Sequence, residues 1–529
     1  MRWHGLLGMA AMLSIAMPVA AQPRGDAVEE VSVDRLQEAL RSGATSSVAV
    51  TRAYLARIAA MDRQGPTLRS VIALNPDALA QARALDDERR AGRVRGPLHG
   101  VPVLIKDNIE TADRMATTAG SLALRDNVTG RDAPLVAALR RAGAVILGKT
   151  NLSEWANIRS TRSMSGWSAV GGLVRNPYAL DRTACGSSSG SGAAIAASLA
   201  AVAVGTETDG SVVCPSSING LVGFRPTLGL ISRSRIVPIS HSQDTPGPMA
   251  RSVRDAALLL SAMAVPDPTD AATALTVPRD YAAGLSATAL AGRRIGVVRP
   301  DDMPAMLAER FDAALAVLRA AGATLVEVKM PGLDGLGEAE LTVLRTELKA
   351  DLDAYLATTP PAVKTRTLAQ VIAFNRRNAA AEMPFFAQEL FEQAVRTRGL
   401  DDPVYRAARA TSLRLAGRDG IDAMLATAKA ELLVTPTYGA AWLSDPVYGD
   451  QYGGPSASTL PAVAGYPHLT VPMGLMQGLP VGLSFIGTAN ADARVLSAGY
   501  AYEQRAQARV APRYLPQAAV APGLAGTPR

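Results

Sequence analysis

Ala193-Ala194-Ile195-Ala196-Ala197-Ser198-Leu199-Ala200-Ala201-Val202-Ala203-Val204-Gly205-Thr206-Glu207-Thr208-Asp209-Gly210-Ser211 decides how this chain is read. Small residues over 193–201 predict a helix able to pack closely, and 201–205 predicts a short apolar strand running straight into a polar, glycine-containing segment. The same order recurs upstream. Residues 101–105 read as a buried strand ending at Lys106-Asp107-Asn108, and 144–148 as another feeding Lys149-Thr150-Asn151, with a helix over 133–142 between them. Such alternation predicts an α/β fold in which helices pack around a largely parallel sheet, with functional residues at strand ends and helix starts.

Working outward, amphipathic helices are expected to end near Gly43 and over 45–60, followed by a strand at 71–74 and a helix over 75–91. Beyond Ile218 the chain is punctuated by proline and glycine, then predicts a helix over 251–263, a surface excursion over 266–278 and a strand at 294–298. Helices are expected over 308–321, 336–355 and most of 367–398. Late strands at 432–437, 467–472 and 481–487 return to the same sheet, and a helix over 492–509 closes the fold. No internal repeat is evident, and the chain reads as one unit without independent domains.

The 529 residues are 48% hydrophobic, 19% charged and only 4% aromatic, which suits a large aliphatic core. The net charge of +7 comes mostly from scattered arginines, without the basic block or interleaved aromatics of a nucleic-acid surface. No nucleic-acid partner is expected. Residues 1–21 carry Arg2, an apolar run from Leu6 to Met17 and the small-residue end Pro18-Val19-Ala20-Ala21, the order of a secretory signal peptide. The mature chain is expected to begin near Gln22, to be periplasmic or secreted, and to have no stable membrane insertion. Residues 517–529 are expected to form a flexible tail. Only Cys185 and Cys214 are present; a large core does not need a disulfide, and buried free thiols are the expectation.

Serine chemistry needs a base and donors for an oxyanion. His99, His241 and His468 remain after the leader; His241 precedes Asp244, yet a loop or supporting role suits it better than a place in a triad. Lys106 ends an apolar segment, where burial favours the neutral amine that accepts a proton. Ser187, in a serine run between glycines, is suited to the middle of a relay, and Ser211, after Asp209-Gly210, to attack. A structural, salt-bridged Lys106 is the competing reading. Residues 186–192 also admit an anion nest, but the P-loop lysine pattern is absent. No metal-ligand spacing is present, so neither metal nor cofactor is expected.

The chain resembles the amidase signature family. The resemblance is carried by residues 185–190, by Thr208 through Ser211, and by Pro102-Val103-Leu104-Ile105-Lys106-Asp107-Asn108. Asn151 through Ala156, Arg175-Asn176-Pro177, Gly220 through Thr227, Asp244 through Met249 and the late segments near Val434 and Gly465 extend it over nearly all of 22–516. It implies a single α/β domain built on a large mixed sheet, with a Ser-cisSer-Lys triad: Ser211 as nucleophile, Ser187 as bridge after a cis peptide from Gly186, Lys106 as terminal base. It further implies an oxyanion hole from Thr208, Asp209, Gly210 and Ser211, and a supporting Ser188. Cys185, Ser189 and Asp209 depart from the common glycines. These departures, with Ile372-Ala373-Phe374-Asn375 and Glu382-Met383-Pro384, resemble the bacterial peptide amidase branch.

That likeness implies an amidase taking a small amide or short amidated peptide, with C-terminal peptide amides first. Small aliphatic, aryl or lactam-like amides are the alternative. An amidotransferase A subunit is disfavoured by the export signal, and a binding protein with an inactive triad by the presence of all three side chains.

Overall fold

The computed structural model describes residues 28–301 and 303–518, so the expected leader at 1–21 and the tail beyond residue 518 lie outside it. Thirteen strands alternate with helices: β1 Val71–Leu74, β2 Pro102–Lys106, β3 Val145–Thr150, the ribbon β4 Trp167–Ser168 and β5 Gly172–Leu173, β6 Val202–Glu207, β7 Val222–Arg225, β8 Thr245–Ala250, β9 Arg294–Val298, β10 Thr324–Val328, β11 Leu432–Pro436, β12 His468–Met476 and β13 Leu479–Ile486. Apart from the ribbon, all join one eleven-stranded sheet in the order β1-β3-β2-β6-β8-β7-β12-β13-β11-β9-β10. A single sheet wrapped by helices is the expected α/β architecture.

The sheet is mixed where the alternation pattern alone predicted mostly parallel pairing. Parallel ladders join β2 to β3 and β6, and β9 to β10 and β11. The remaining neighbours are antiparallel. Much of the difference lies in β7 and β8, where the sequence is punctuated by proline and glycine. Proline removes a ladder donor and argues against a strand. Here β7 pairs only with Met249 and Ala250 of β8, which leaves Pro246 and Pro248 without a ladder partner on that side.

β2, β3 and β6 are buried along their whole length, as continuous apolar runs in a covered sheet should be. The helix after the serine run spans Ser189–Ala196, four residues earlier than expected, because Ser189 and Gly190 belong to its first turn. Gly190 makes that placement possible. A Cβ there would stand 2.3 Å from the Ser70 carbonyl oxygen and 2.4 Å from that of Asn151. The expected helix over 367–398 is broken into Leu368–Arg377, Ala379–Glu382 and Glu389–Ala394. Among the described residues, no helix is long and apolar enough to cross a membrane.

Because backbone, not a flexible side chain, surrounds the missing Cβ, Gly190→Ala is expected to destabilise the fold by about 1–3 kcal/mol. A lowered midpoint in urea unfolding checks this; an unchanged midpoint contradicts the close fit.

Candidate active site

Two neighbouring parallel strands bring the polar residues together. β2 and β6 pair with Ile105 opposite Val204, which brings Lys106 within reach of Thr206, one residue beyond its own register, near their carboxyl ends. Lys106 is fully buried. Its Nζ lies 2.7 Å from Ser187 Oγ, 2.9 Å from Thr206 Oγ1 and 3.1 Å from the Thr206 carbonyl oxygen. Asn108 Nδ2 donates to the same Thr206 hydroxyl at 3.0 Å. Burial pulls the Lys106 amine down to about 7, against the opposing pull of Asp244 and Glu207.

Ser187 follows a cis peptide from Gly186, as expected. Among the described residues Ser188 makes no hydrogen bond to the lysine. Its hydroxyl donates to the Thr206 carbonyl at 3.1 Å and accepts from the Thr206 N–H at 3.2 Å, while its own N–H donates to the Ser211 carbonyl at 3.1 Å. The cis-serine segment is thereby fastened to β6 and to residue 211. Ser211 is buried to 7% exposure, and among the described residues its hydroxyl makes no hydrogen bond. The Lys106–Ser187 hydrogen bond is formed, and among the described residues none joins Ser187 Oγ to Ser211 Oγ.

The turn from 207 to 213 is held by its own first residue. Glu207 Oε2 accepts from the N–H groups of Val212 at 2.7 Å and Val213 at 2.9 Å, satisfying donors at the start of the helix Val213–Ile218. Among the described residues, the N–H groups of Asp209, Gly210 and Ser211 have no acceptor. Gly210 sits at φ +76°, and a Cβ there would lie 2.4 Å from the Tyr438 hydroxyl. The Asp209 carboxylate accepts from Thr459 Oγ1 at 2.8 Å, and burial raises its pKa.

Asp244 accepts from Thr208 Oγ1 and, at 2.8 and 3.0 Å, from the N–H groups of Ile239 and Ser240; burial pushes it up to about 6. Asn108, Thr206, Thr208 and Asp244 also line a cavity of about 550 Å³. Asp244 belongs to one of those motifs and Thr206 and Glu207 run directly into another, but nothing local marks what they hold, which comes from partners brought in by the sheet.

The cysteines correct the expectation of free thiols. Cys185 and Cys214 are disulfide-bonded, with Cα atoms 6.1 Å apart. Cys185 lies two residues before Ser187 and Cys214 three after Ser211, so the bond ties both serine segments together. Tertiary proximity, which no spacing rule supplies, sets that pairing. Among the described residues no histidine hydrogen-bonds to Lys106, Ser187 or Ser211, although His241 lines the cavity. His99 contacts the Leu85 carbonyl at 2.9 Å, His468 contacts Ser484 Oγ at 2.7 Å, and His241 pairs with Asp351 at 2.9 Å, not with Asp244.

The amidase family model matches residues 49–496 of this chain. The chain belongs to the amidase signature family. The native peptide amidase of Stenotrophomonas maltophilia is 51% identical, with a TM-score of 0.88, and the match covers 93% of this chain and 100% of that one. A peptide amidase in complex with the competitive inhibitor chymostatin is 52% identical, again with a TM-score of 0.88, over 92% of this chain and 99% of that one. A probable amidase of Arabidopsis thaliana is 37% identical, covering 92% of each chain. This amidase is a carboxamide-hydrolysing enzyme of the signature family.

Two outcomes follow from this geometry. A cross-link with a sequence separation of 29 is expected to contribute about 3–4 kcal/mol. Cys185→Ala with Cys214→Ala should therefore unfold at clearly lower urea; an unchanged midpoint would contradict a stabilising bond. Folding lowers the Lys106 pKa from 10.5 to about 7, so between those values the unfolded chain binds more protons and this group makes stability rise with pH. Lys106→Met should lack that increment between pH 7 and 9, read as a shallower rise of unfolding free energy than wild type; parallel curves would contradict the shift.

Proposed function

We propose that this amidase hydrolyses C-terminal amides of peptides to the free acid and ammonia through an acyl-enzyme on Ser211. The single observation carrying the mechanism is the contact of 2.7 Å between a fully buried Lys106 amine and Ser187 Oγ. A neutral amine takes the Ser187 proton, Ser187 takes that of Ser211, and Ser211 Oγ bonds to the carboxamide carbon. The unpaired N–H groups of residues 209–211, with that of Thr208, hold the oxygen as it gains charge. The proton returns through Ser187 to the nitrogen, the C–N bond breaks and ammonia leaves. Water then repeats the attack on the ester, returning Ser211 and the free acid.

The peptide-amide substrate is supported by the likeness to peptide amidases over nearly the whole chain. Aromatic surface beside the nucleophile loop suits peptide side chains: Tyr438 and Trp442 meet Tyr452 edge-on at 5.7 and 5.5 Å, and Tyr438 stands against Gly210. Export remains part of the reading, because a disulfide persists in oxidising compartments.

Ammonia release from amidated dipeptides, compared with simple aliphatic and aryl amides, tests the substrate. A higher kcat/KM on peptide amides is expected; preference for the small amides would overturn it. Lys106→Ala is expected to lose about 10²- to 10⁴-fold in kcat. With the base required in its neutral form, kcat/KM should climb about tenfold per pH unit below about 7 and level above it. A rate independent of pH from 5 to 9 would contradict the lysine's role.

A further inference from the structure

We propose that Arg225 is the positioning residue that aims the N–H groups of the nucleophile loop, an assignment resting on the acyl-enzyme reading above. Arg225 ends β7 and is completely buried. Its Nη1 donates to the carbonyl oxygens of Glu207 at 3.1 Å and Thr208 at 3.4 Å. Its Nη2 donates to those of Gln243 at 2.7 Å and Ala462 at 3.0 Å. Four carbonyls from three separate segments thus converge on one guanidinium.

A trans peptide carries its C=O and the following N–H on opposite edges of one plane. Holding the Thr208 carbonyl toward Arg225 therefore turns the Asp209 N–H away from it, and holding the Glu207 carbonyl does the same for the Thr208 N–H. Gln243 Nε2 reinforces the first of these, 3.5 Å from the Thr208 carbonyl, and is itself steadied by Glu340 Oε1 at 2.9 Å. Without these donors, rotation of the 208–209 peptide would replace an N–H by a carbonyl oxygen where negative charge develops.

The surroundings favour this role over a simple ion pair. The nearest carboxylate oxygen, Glu207 Oε1, is 3.8 Å away, and the other oxygen of that carboxylate is engaged with Val212 and Val213. The strand fixes the arginine backbone opposite His468 of β12. A rigid planar fork reaches carbonyls in several directions, whereas a lysine offers its donors from a single atom. Arg225→Lys keeps the charge and loses the span.

The test compares a peptide aldehyde, whose hemiacetal with Ser211 puts an oxygen in the oxyanion position, with the corresponding peptide alcohol, which makes no adduct. Rates are normalised to sites titrated by an acylating reagent, so that misfolded protein does not count. Arg225→Lys is expected to lose about 100-fold in kcat, at the lower end of the roughly 10²- to 10³-fold cost of removing one oxyanion donor. KM and alcohol affinity should stay near wild type, while aldehyde affinity falls by a factor similar to kcat. Gln243→Leu should lose less, in the same sense, and carries the test if the arginine variant does not fold. Wild-type kcat per titrated site, or equal loss of aldehyde and alcohol binding, would overturn the assignment. Failure of wild-type protein to form the aldehyde adduct on Ser211 would instead overturn the acyl-enzyme reading.

Discussion

Removal of the Lys106 amine from water is the constraint on which the site depends. A lysine at the end of a buried strand has two ways to exist: protonated against a close carboxylate, or neutral among oxygens that satisfy it without needing its charge. Here the contacting atoms are two hydroxyls and a backbone carbonyl. Glu207, whose charge opposes the effect of burial, spends one oxygen on the start of the next helix, and Asp244 accepts from Thr208 and two backbone N–H groups. The protein thus keeps negative charge near the lysine without placing it in contact, and desolvation remains the larger influence.

The backbone around the serines is fixed by polar groups that are themselves buried. Glu207 closes the turn from one side and Arg225 gathers its carbonyls from the other. Ser188 joins the cis-serine segment to β6 and to residue 211, and the disulfide joins the same two segments at their outer ends. Catalysis by oriented dipoles requires that the dipoles not reorganise as charge develops. These fastenings supply that rigidity, and they explain how a short segment tolerates a buried aspartate at position 209: its carboxylate is directed to Thr459, leaving its N–H free.

Legibility in the sequence followed the range of the interactions involved. The apolar runs that became β2, β3 and β6 announced themselves because burial on both faces leaves no room for alternation. Lys106, Ser187 and Ser211 were recognisable from their order in motifs, and the resemblance supplied the cis peptide. β8 was hidden by Pro246 and Pro248, whose tolerance depends on where β7 stops pairing. The helix start at Ser189 was hidden by its serine and glycine content, which packing against Ser70 and Asn151 overrides. Arg225 stands inside the motif over 220–227, but nothing local marked its role, since its acceptors include a carbonyl 237 residues away. The cysteine pairing likewise depends on geometry that exists only after folding.

Direct titration of the Lys106 amine by nitrogen-15 NMR tests the central claim most plainly, with Lys106→Met identifying its resonance among the lysines. The account predicts an amine that loses its proton near pH 7, while exposed lysines remain charged to above pH 10. An ammonium signal from Lys106 that persists unchanged to pH 10 in the folded enzyme would contradict it.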